Sequence, residues 1–276
     1  MAASESPTLT LSDGRTMPQF GLGVYKASND EARDMVSYAL DAGYRLIDTA
    51  SMYLNEQGVG DAVRSSTIDR SDIFVQTKFW LEDLGYQKTL DACRTSLDLL
   101  GLEYVDLYMI HWPAPQRDLY VESWRAMETL VESGLARSIG VCNFHPEHLE
   151  RIFQETSSAP VVNQVEIHPW LTQEALVDFH SRHNITTQAW SPLARGQILG
   201  EPLLAAIAER YDKSVAQIII RWHLQRGYSV IPKSTHPERI SENAEVFDFS
   251  LSQEDMTAIS SMNKNYRTGV DPNDRN

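Results

Sequence analysis

Four side chains with complementary proton chemistry lie at or just beyond apolar stretches of the sequence: Asp48, Tyr53, Lys78 and His111. Three of them, Asp48, Lys78 and His111, each end a short apolar run typical of a buried strand. In parallel β/α barrels the carboxyl ends of the strands meet at one face, where chemistry is done. We therefore expect these groups to converge although they lie far apart along the chain.

The chemistry of these groups suits a carbonyl substrate. A tyrosine has an ordinary pKa of about 10, and an adjacent ammonium such as Lys78 lowers it. Burial would neutralise that lysine, so a carboxylate such as Asp48 is needed to keep it charged. His111 would orient the carbonyl oxygen by hydrogen bonding. Tyr53 would then supply a proton where an alkoxide develops during hydride attack on C=O.

Each residue also has an ordinary structural role that fits equally well when it is taken singly. Asp48 would serve as a helix cap, Lys78 as a solvated strand end and His111 as a packed ring. Tyr53 taken alone fits packing better than catalysis. Their joint occurrence is what favours the catalytic interpretation.

The elements that must position these groups alternate along the chain. Residues 8–17 alternate apolar and polar side chains around Asp13 and Gly14, a dipeptide typical of a tight hairpin turn. From residue 21 onward, short apolar runs alternate with amphipathic stretches, as in buried strands and their covering helices. The strand candidates are 21–25, 45–48, 73–78, 105–111, 138–141, 161–165, 185–190 and 229–231. The helix candidates include 30–41, 55–64, 86–100, 120–133, 146–154, 173–183 and 215–225.

This alternation predicts an α/β fold, a closed (β/α)8 TIM barrel with an N-terminal β-hairpin closing the bottom of the barrel. A doubly wound open sheet is the competing fold. It usually carries G-x-G-x-x-G after its first strand, and this sequence has only Gly21-Leu22-Gly23 there. Length alone does not separate one large domain from two average ones. Because no linker divides the chain, we expect one domain over 1–276.

Charge limits the class of partner. The chain has 276 residues, with 38 Asp and Glu against 24 Lys and Arg, giving a net charge of −14 at pH 7. Such a balance repels phosphate backbones and anionic membranes, so neither nucleic acid nor membrane is an expected partner. An anionic ligand would need a local basic patch.

The cysteines and the N-terminal residues favour a cytoplasmic location. Cys93 and Cys142 do not make a disulfide framework, and reduced thiols suit the cytosol. Residues 1–7 lack the basic start and apolar stretch of an export signal. No segment approaches about 18 uninterrupted apolar residues, so no membrane span is expected.

Two histidine pairs invite a metal interpretation: His145 with His148, and His180 with His183. Neither pair has a third ligand at recognisable spacing, so no metal is expected. The sequence also lacks a G-x-S-x-G elbow and a Walker loop, which leaves serine hydrolysis and phosphoryl transfer without a starting point.

Beyond the four side chains, a series of motifs resembles the aldo-keto reductase family. They are GYRLIDTA at 43–50 followed by Tyr53, TK at 77–78, LGLEYVDLYMIHWP at 100–113, IGVCNF at 139–144, VNQVEIHP at 162–169, AWSPL at 189–193 and IPKS at 231–234. They stand in family order from about residue 8 to about residue 270. The resemblance implies an NADPH-dependent reductase that acts as a monomer, with Asp48, Tyr53, Lys78 and His111 as its catalytic tetrad.

The resemblance also implies a set of cofactor contacts. Asn143 and Gln164 would hold the nicotinamide carboxamide, and Trp190 would stack on the ring. The implied contacts are Gly23, Val24, Cys142, Asn143, Gln164, Trp190, Ser191, Leu193, Lys233, Ser234, Arg239 and Asn243, with Ser191 and Leu193 along the pyrophosphate. Cys142 departs from the serine that the family more often has, and a thiol is a weaker hydrogen-bond donor.

A local basic site follows the last predicted strand. Lys233, Ser234, Arg239 and Asn243 combine cations with the N–H groups of a helix start, a combination that favours phosphate. The 2′-phosphate of NADPH is the expected guest, so NADPH is favoured over NADH, with dual use left open. The alternative is an ordinary solvated helix start.

Substrate contacts are less specific. Tyr25, Trp80, Trp112 and Leu54 follow strand ends and would wall the pocket beside His111, although ordinary packing explains each nearly as well. The segment 265–272 resembles a bacterial and protozoan branch that includes 2,5-diketo-D-gluconic acid reductase and prostaglandin F synthase-like enzymes. Its Arg267 would meet a substrate carboxylate or, as the favoured alternative, the adjacent surface.

The expected reaction is reduction of aldehydes and reactive ketones to alcohols, with dicarbonyls and keto sugars as substrates and quinones as a further class. The alternative is a non-catalytic barrel that binds NADPH as a sensor or subunit. The intact tetrad argues against that alternative.

Overall fold

Parallel strands and covering helices alternate through most of the chain. The structure is a computed structural model that describes residues 6–276; residues 1–5, part of the stretch judged to lack an export signal, lie outside the described residues. The strands are β1 (Thr8–Thr10), β2 (Thr16–Pro18), β3 (Leu22–Gly23), β4 (Leu46–Asp48), β5 (Phe74–Phe79), β6 (Val105–Ile110), β7 (Ala136–Cys142), β8 (Val162–Glu166), β9 (Thr186–Trp190) and β10 (Ser229–Val230). Strands β3 to β10 coincide with the predicted runs.

These eight strands form a closed barrel. Their order in the sheet follows the sequence from β3 to β10, and all neighbouring pairs are parallel. The first and last strands also meet, because the backbone N–H of Gly21 donates to the carbonyl of Val230 at 3.0 Å and that of Gly23 to Pro232 at 3.1 Å. The prediction of a barrel is confirmed, and the open-sheet alternative is excluded.

Helices cover the outside of the barrel. They are α1 (Asn29–Asp41), α2 (Glu56–Ser65), α3 (Tyr86–Leu100), α4 (Tyr120–Glu132), α5 (Pro146–Glu155), α6 (Glu174–Arg182), α7 (Pro202–Tyr211), α8 (Val215–Gln225), α9 (Pro237–Ala244) and α10 (Gln253–Ser260). The predicted helices are all present. Helices α7 and α10 were not among the predicted ranges, and α9 was expected only as a helix start after the last strand. Both α7 and α9 lack a side-chain N-cap of the kind that marks α1 and α8, although each has a proline in its first turn.

A hairpin of β1 and β2 covers the end of the barrel where the strands begin. Its side chains Leu11 and Met17 are buried in one cluster with Leu46 and Phe74, which open β4 and β5. At the turn Gly14 has a φ of 85°, a conformation that favours glycine. The predicted hairpin at the bottom of the barrel is therefore confirmed.

The opposite end of the barrel remains open and carries the polar strand ends. No helix within residues 6–276 is both long and apolar enough to cross a membrane.

Candidate active site

A cleft of about 1040 Å³ opens where the barrel strands end. Most of the side chains predicted for a site line it. These are Gly23, Tyr25, Asp48, Tyr53, Trp80, His111, Trp112, Asn143, Gln164, Trp190, Ser191, Leu193, Lys233, Ser234, Arg239 and Asn243. The convergence expected from strand topology is therefore found.

Lys78 lies behind the cleft wall in a buried ion pair with Asp48. Its Nζ is 2.6 Å from Asp48 Oδ1 and also donates to the carbonyl of Thr49 at 2.9 Å, and the two charged side chains are 0% and 4% exposed. Burial acts to lower the pKa of Lys78, but the Asp48 carboxylate reverses this and holds the pKa above its ordinary value. The lysine is a fixed cation, as its proposed role requires.

Two glutamine side chains hold the Asp48 carboxylate in place by hydrogen bonds. Gln76 and Gln164 donate to Asp48 Oδ1 at 2.6 and 2.9 Å, and each also donates to Gln188 Oε1 at 2.7 Å. Gln76 and Gln188 were not predicted as site residues, although a polar side chain within a buried strand run is a usable signal. This network limits the positions that the ion pair can adopt.

Tyr53 ends a short 3₁₀ turn, Ser51–Tyr53, that follows the β4 end. Its ring centroid is 5.2 Å from Lys78 Nζ and 5.7 Å from the His111 ring. Burial raises the pKa of Tyr53, and Lys78 offsets only part of that rise, so the net pKa lies above the ordinary tyrosine value. Lys78 acts in the expected direction, but burial is the larger effect. The phenol therefore holds its proton at neutral pH.

His111 follows the end of β6 and is neutral. Burial lowers its pKa well below the ordinary histidine value, and Lys78 and Arg275 lower it further. Its Nδ1 is buried without a hydrogen-bond partner among the described residues, and the Trp80 ring stands 4.9 Å away, edge to face. A neutral imidazole on the cleft wall can offer one hydrogen bond to a substrate oxygen.

Two amide side chains stand beside the tetrad, close to Trp190. Asn143 donates to the carbonyl of His111 at 3.0 Å and accepts from Trp190 Nε1 at 2.9 Å, while its φ of 63° is one that asparagine tolerates well. Gln164 uses its amide N–H groups on Asp48 and Gln188. The nearest donor to its Oε1 is the weak Cys142 thiol at 3.8 Å, so this oxygen can still accept a hydrogen bond from a ligand.

Three residues that were predicted to contact the cofactor or the substrate do not line the cleft. Cys142 is fully buried, with its Sγ 3.7 Å from Met109 Sδ and 3.8 Å from Gln164 Oε1, because β7 directs it into the barrel core. Val24 is fully buried and its carbonyl accepts from Asn55 at 2.9 Å. Leu54 is 81% exposed on the outer surface. The side chains of these three residues do not line the cleft, and the contacts expected of them stay predictions.

The basic site after β10 forms one end of the cleft. Lys233, Ser234, Arg239 and Asn243 line it where α9 begins, and α9 has no side-chain N-cap of its own. Its first N–H groups are thus not satisfied by a cap, which suits an anion. Gly23 adjoins this end, where a Cβ would stand 3.2 Å from the Ile231 carbonyl. The donor set fits a phosphate-bearing ligand.

Residues 265–276, here called the 265–276 segment, form part of the cleft wall, which was not predicted from the sequence. Thr268, Gly269, Val270 and Arg275 line the cleft. Arg267 turns away, with its Nη2 3.3 Å from Gln173 Oε1 and its Nε 3.4 Å from Asp271 Oδ2, which agrees with the favoured surface alternative. The position of Arg275 depends on how the segment folds back, and no motif signals this.

Members of the two histidine pairs contact other side chains of the protein. Within residues 6–276, no group of three or more His, Cys, Asp or Glu side chains is arranged to hold a metal ion. His145 instead stands 3.3 Å from Asp271 of the 265–276 segment, and buried His180 contacts Asn163 and Thr187.

Comparison with known proteins yields a consistent set of relatives. Residues 17–264 match the Aldo/keto reductase family. The chain is 50% identical over 268 residues to the methylglyoxal reductase DkgA of Yersinia pestis, covering 96% of each chain, and 48% identical over 275 residues to the glyoxal reductase of Bacillus subtilis, covering 99% of each. The crystal structure of a Gox0644 variant in complex with NADPH superposes with a TM-score of 0.94 at 46% identity, covering 98% of this chain and 99% of that one.

Proposed function

Because the chain belongs to the aldo/keto reductase family of NADP-dependent oxidoreductases, we propose that it reduces aldehydes and reactive ketones with Tyr53 as the proton donor. One observation carries the proposal. A neutral phenol lies on the cleft wall beside a lysine that a buried carboxylate keeps charged. This arrangement supplies a proton and a fixed positive charge at one point, which general-acid reduction of a carbonyl requires.

The cofactor is NADPH, and the residues of the cleft fit it. Lys233, Ser234 and Arg239 would hold its 2′-phosphate, while Asn143 and Gln164 would hold the carboxamide through the donor and acceptor they leave available. The indole of Trp190 offers a flat face for the nicotinamide, and Ser191 and Leu193 would line the pyrophosphate. When bound, NADPH supplies the hydride for the carbonyl carbon.

The protein's own groups manage the proton. As negative charge develops on the carbonyl oxygen, Tyr53 gives up its hydroxyl proton to that oxygen and becomes a phenolate. The Lys78 ammonium stabilises this phenolate, and Asp48 keeps the ammonium charged. His111, being neutral, donates a hydrogen bond that orients the carbonyl oxygen. The reverse sequence would oxidise an alcohol.

Dicarbonyls and keto sugars are the proposed substrates, with quinones as a further class. Two relatives are named for methylglyoxal and glyoxal, which are small dicarbonyls. Tyr25, Trp80 and Trp112 give the cleft an aromatic wall beside His111 that suits apolar parts of such molecules.

Three further expectations stay predictions: one domain over 1–276, a monomeric state and a cytoplasmic location. Limited proteolysis, sedimentation and cell fractionation, respectively, would test them.

The test is NADPH oxidation against methylglyoxal, a nitrobenzaldehyde, phenanthrenequinone, a diketo sugar acid and a prostaglandin endoperoxide, with Tyr53→Phe measured alongside. We expect turnover by the wild type, loss of turnover in Tyr53→Phe, and retained NADPH binding in both. Absence of wild-type turnover together with tight NADPH binding would instead support the sensor or subunit alternative. Equal turnover in both proteins would refute Tyr53 as the donor.

A further inference from the structure

Arg275 lies on the cleft wall between two indole rings. Its Cζ is 5.6 Å from the centroid of the Trp80 ring and 5.3 Å from that of the Trp112 ring. Both indoles also line the cleft. Aromatic faces hold a guanidinium in place without using its N–H donors. Arg275 is therefore positioned while its hydrogen-bonding capacity stays available.

The guanidinium of Arg275 has no acidic partner within residues 6–276. Its Nε is buried without a hydrogen-bond partner there, and no ion pair in the described part of the chain includes it. Two other half-buried arginines are paired with acids, Arg70 with Asp106 at 2.8 Å and Arg226 with Glu174 at 2.6 Å, while Arg45 and Arg221 instead donate to backbone carbonyls. A buried donor without a partner costs free energy unless a ligand satisfies it. Among the described residues, Arg275 is thus a cation without an anionic partner, and it is available to bind one from a ligand.

Arg275 stands close to the reacting groups and away from the phosphate site. The Trp80 ring that it contacts is 4.9 Å from the His111 ring, which is in turn 5.7 Å from Tyr53. Trp80 and Trp112 follow β5 and β6, whereas Lys233 follows β10, across the barrel. An anion at Arg275 would therefore belong to the substrate rather than to the 2′-phosphate.

We propose that Arg275 binds a carboxylate carried by the carbonyl substrate, so that the preferred substrates are oxo acids. The inference rests on the reductase function proposed above and names its substrate class. The planar guanidinium matches a carboxylate through two parallel hydrogen bonds. The lining of the cleft carries five cations, Lys26, Arg195, Lys233, Arg239 and Arg275, against two carboxylates, Asp48 and Glu242. It is therefore locally positive in a chain whose net charge is −14, and it attracts an anion that the whole molecule would repel.

Two matched aldehydes test the proposal: 4-carboxybenzaldehyde and its neutral methyl ester, methyl 4-formylbenzoate. In the holoenzyme, Arg275→Met should lower kcat/KM for the acid by about 10- to 100-fold, mostly through KM, because it removes hydrogen bonds to a charged group. The same variant should change kcat/KM for the ester by less than about twofold, a change too small for a lost charged contact. Arg275→Lys should recover part of the preference for the acid.

Arg267→Met is the matched control, since it alters the same segment without removing a cation from the cleft. It should change kcat/KM for both aldehydes in the same proportion. If Arg275→Met lowers turnover of the acid and the ester equally, Arg275 only supports the wall and the proposal fails. A wild type that reduces the ester but shows no preference for the acid also overturns it, while leaving the reductase function intact.

A binding measurement separates this proposal from the reductase function. Calorimetry of the NADP⁺ complex with 4-ethylbenzoate and 4-ethylbenzamide, neither of which can be reduced, reports the anion site alone. We expect the wild type to bind the carboxylate more tightly than the amide and Arg275→Met to lose that difference. If no aldehyde is turned over but the difference persists, only the reductase function fails. If the amide binds as tightly as the carboxylate, the proposal for Arg275 is refuted.

Discussion

Lys78 and Asp48 form an ion pair of 2.6 Å that is withdrawn from solvent and shares its carboxylate oxygen with two glutamines. Taking both charges out of water costs free energy that their mutual attraction repays only when the geometry is well fixed. Gln76 and Gln164 provide that fixed geometry. We propose that the same pair sets the proton chemistry of Tyr53, whose ring lies 5.2 Å from the ammonium. On that proposal, stability and catalysis are coupled at this position.

Removing one charge of the pair should expose this coupling. Asp48→Asn keeps the shape of the side chain but leaves the Lys78 ammonium buried without a counter-ion. We expect the free energy of unfolding to fall by about 3–5 kcal/mol, together with a large loss of kcat. Urea denaturation and NADPH oxidation measure the two effects.

The double variant Asp48→Asn/Lys78→Met is the control. It removes both charges, so it should recover much of the lost stability without recovering turnover. If the double variant is as unstable as Asp48→Asn, the loss comes from disturbed packing and not from an unpaired charge.

Strand ends were the part of the site that the sequence could predict. Asp48, Lys78 and His111 converge because a parallel barrel brings its strand ends together whatever the loops do. The basic site at Lys233 and Arg239 could also be predicted, because it directly follows the last strand and so lies at the same end of the barrel. Local pattern and topology were enough for these residues.

Long-range contacts account for what the sequence did not predict. Cys142 was expected to contact the cofactor carboxamide, and that contact stays a prediction. Its thiol is buried 3.7 Å from Met109 Sδ and 3.8 Å from Gln164 Oε1, two residues on the neighbouring strands β6 and β8 that no local pattern links to it. Arg275 reaches Trp80 only because the 265–276 segment folds over the cleft, anchored by Glu166. That anchor joins residues about a hundred positions apart, and neither end carries a periodic signal.

The basic end of the cleft should control the choice of cofactor. Arg239→Ala removes an exposed cation at the start of α9. We expect KM for NADPH to rise about tenfold, because a hydrogen bond to a charged phosphate is lost, and KM for NADH to stay unchanged. Arg33→Ala, which removes a surface cation on α1, is the control for net charge. Equal weakening of both cofactors by Arg239→Ala would argue against a 2′-phosphate contact.

Glu166 should hold the 265–276 segment in place. Its buried carboxylate accepts from the backbone and hydroxyl of Thr268, both at 2.6 Å, from Gly269 N at 3.0 Å and from His168 at 3.0 Å. In Glu166→Gln the amide nitrogen cannot accept, so at least one of these bonds is lost. We expect local opening of the segment to become easier by about 1–3 kcal/mol, seen as faster hydrogen exchange of the amides of Thr268 and Gly269.

Glu174→Gln provides the comparison for that variant. Its carboxylate pairs with Arg226 at the surface, where it is 53% exposed, and such pairs contribute little. Hydrogen exchange at Thr268 and Gly269 should therefore match the wild type. Unchanged exchange in Glu166→Gln as well would mean that the segment is held by its other contacts, such as that between His145 and Asp271.

Buried histidines should make the fold sensitive to acid. Burial lowers the pKa of His180 to about 3, and the ring is held neutral between Asn163 and Thr187, each at 2.9 Å. In the unfolded chain its pKa is about 6.5, so between about pH 6.5 and 3 the unfolded state binds one more proton there. Stability is therefore fully present above that window and is lost as the pH falls, by roughly 1.4 kcal/mol per pH unit for this histidine. The slope of unfolding free energy against pH should be shallower by that amount in His180→Gln. A slope equal to that of the wild type would mean that His180 does not control the acid sensitivity.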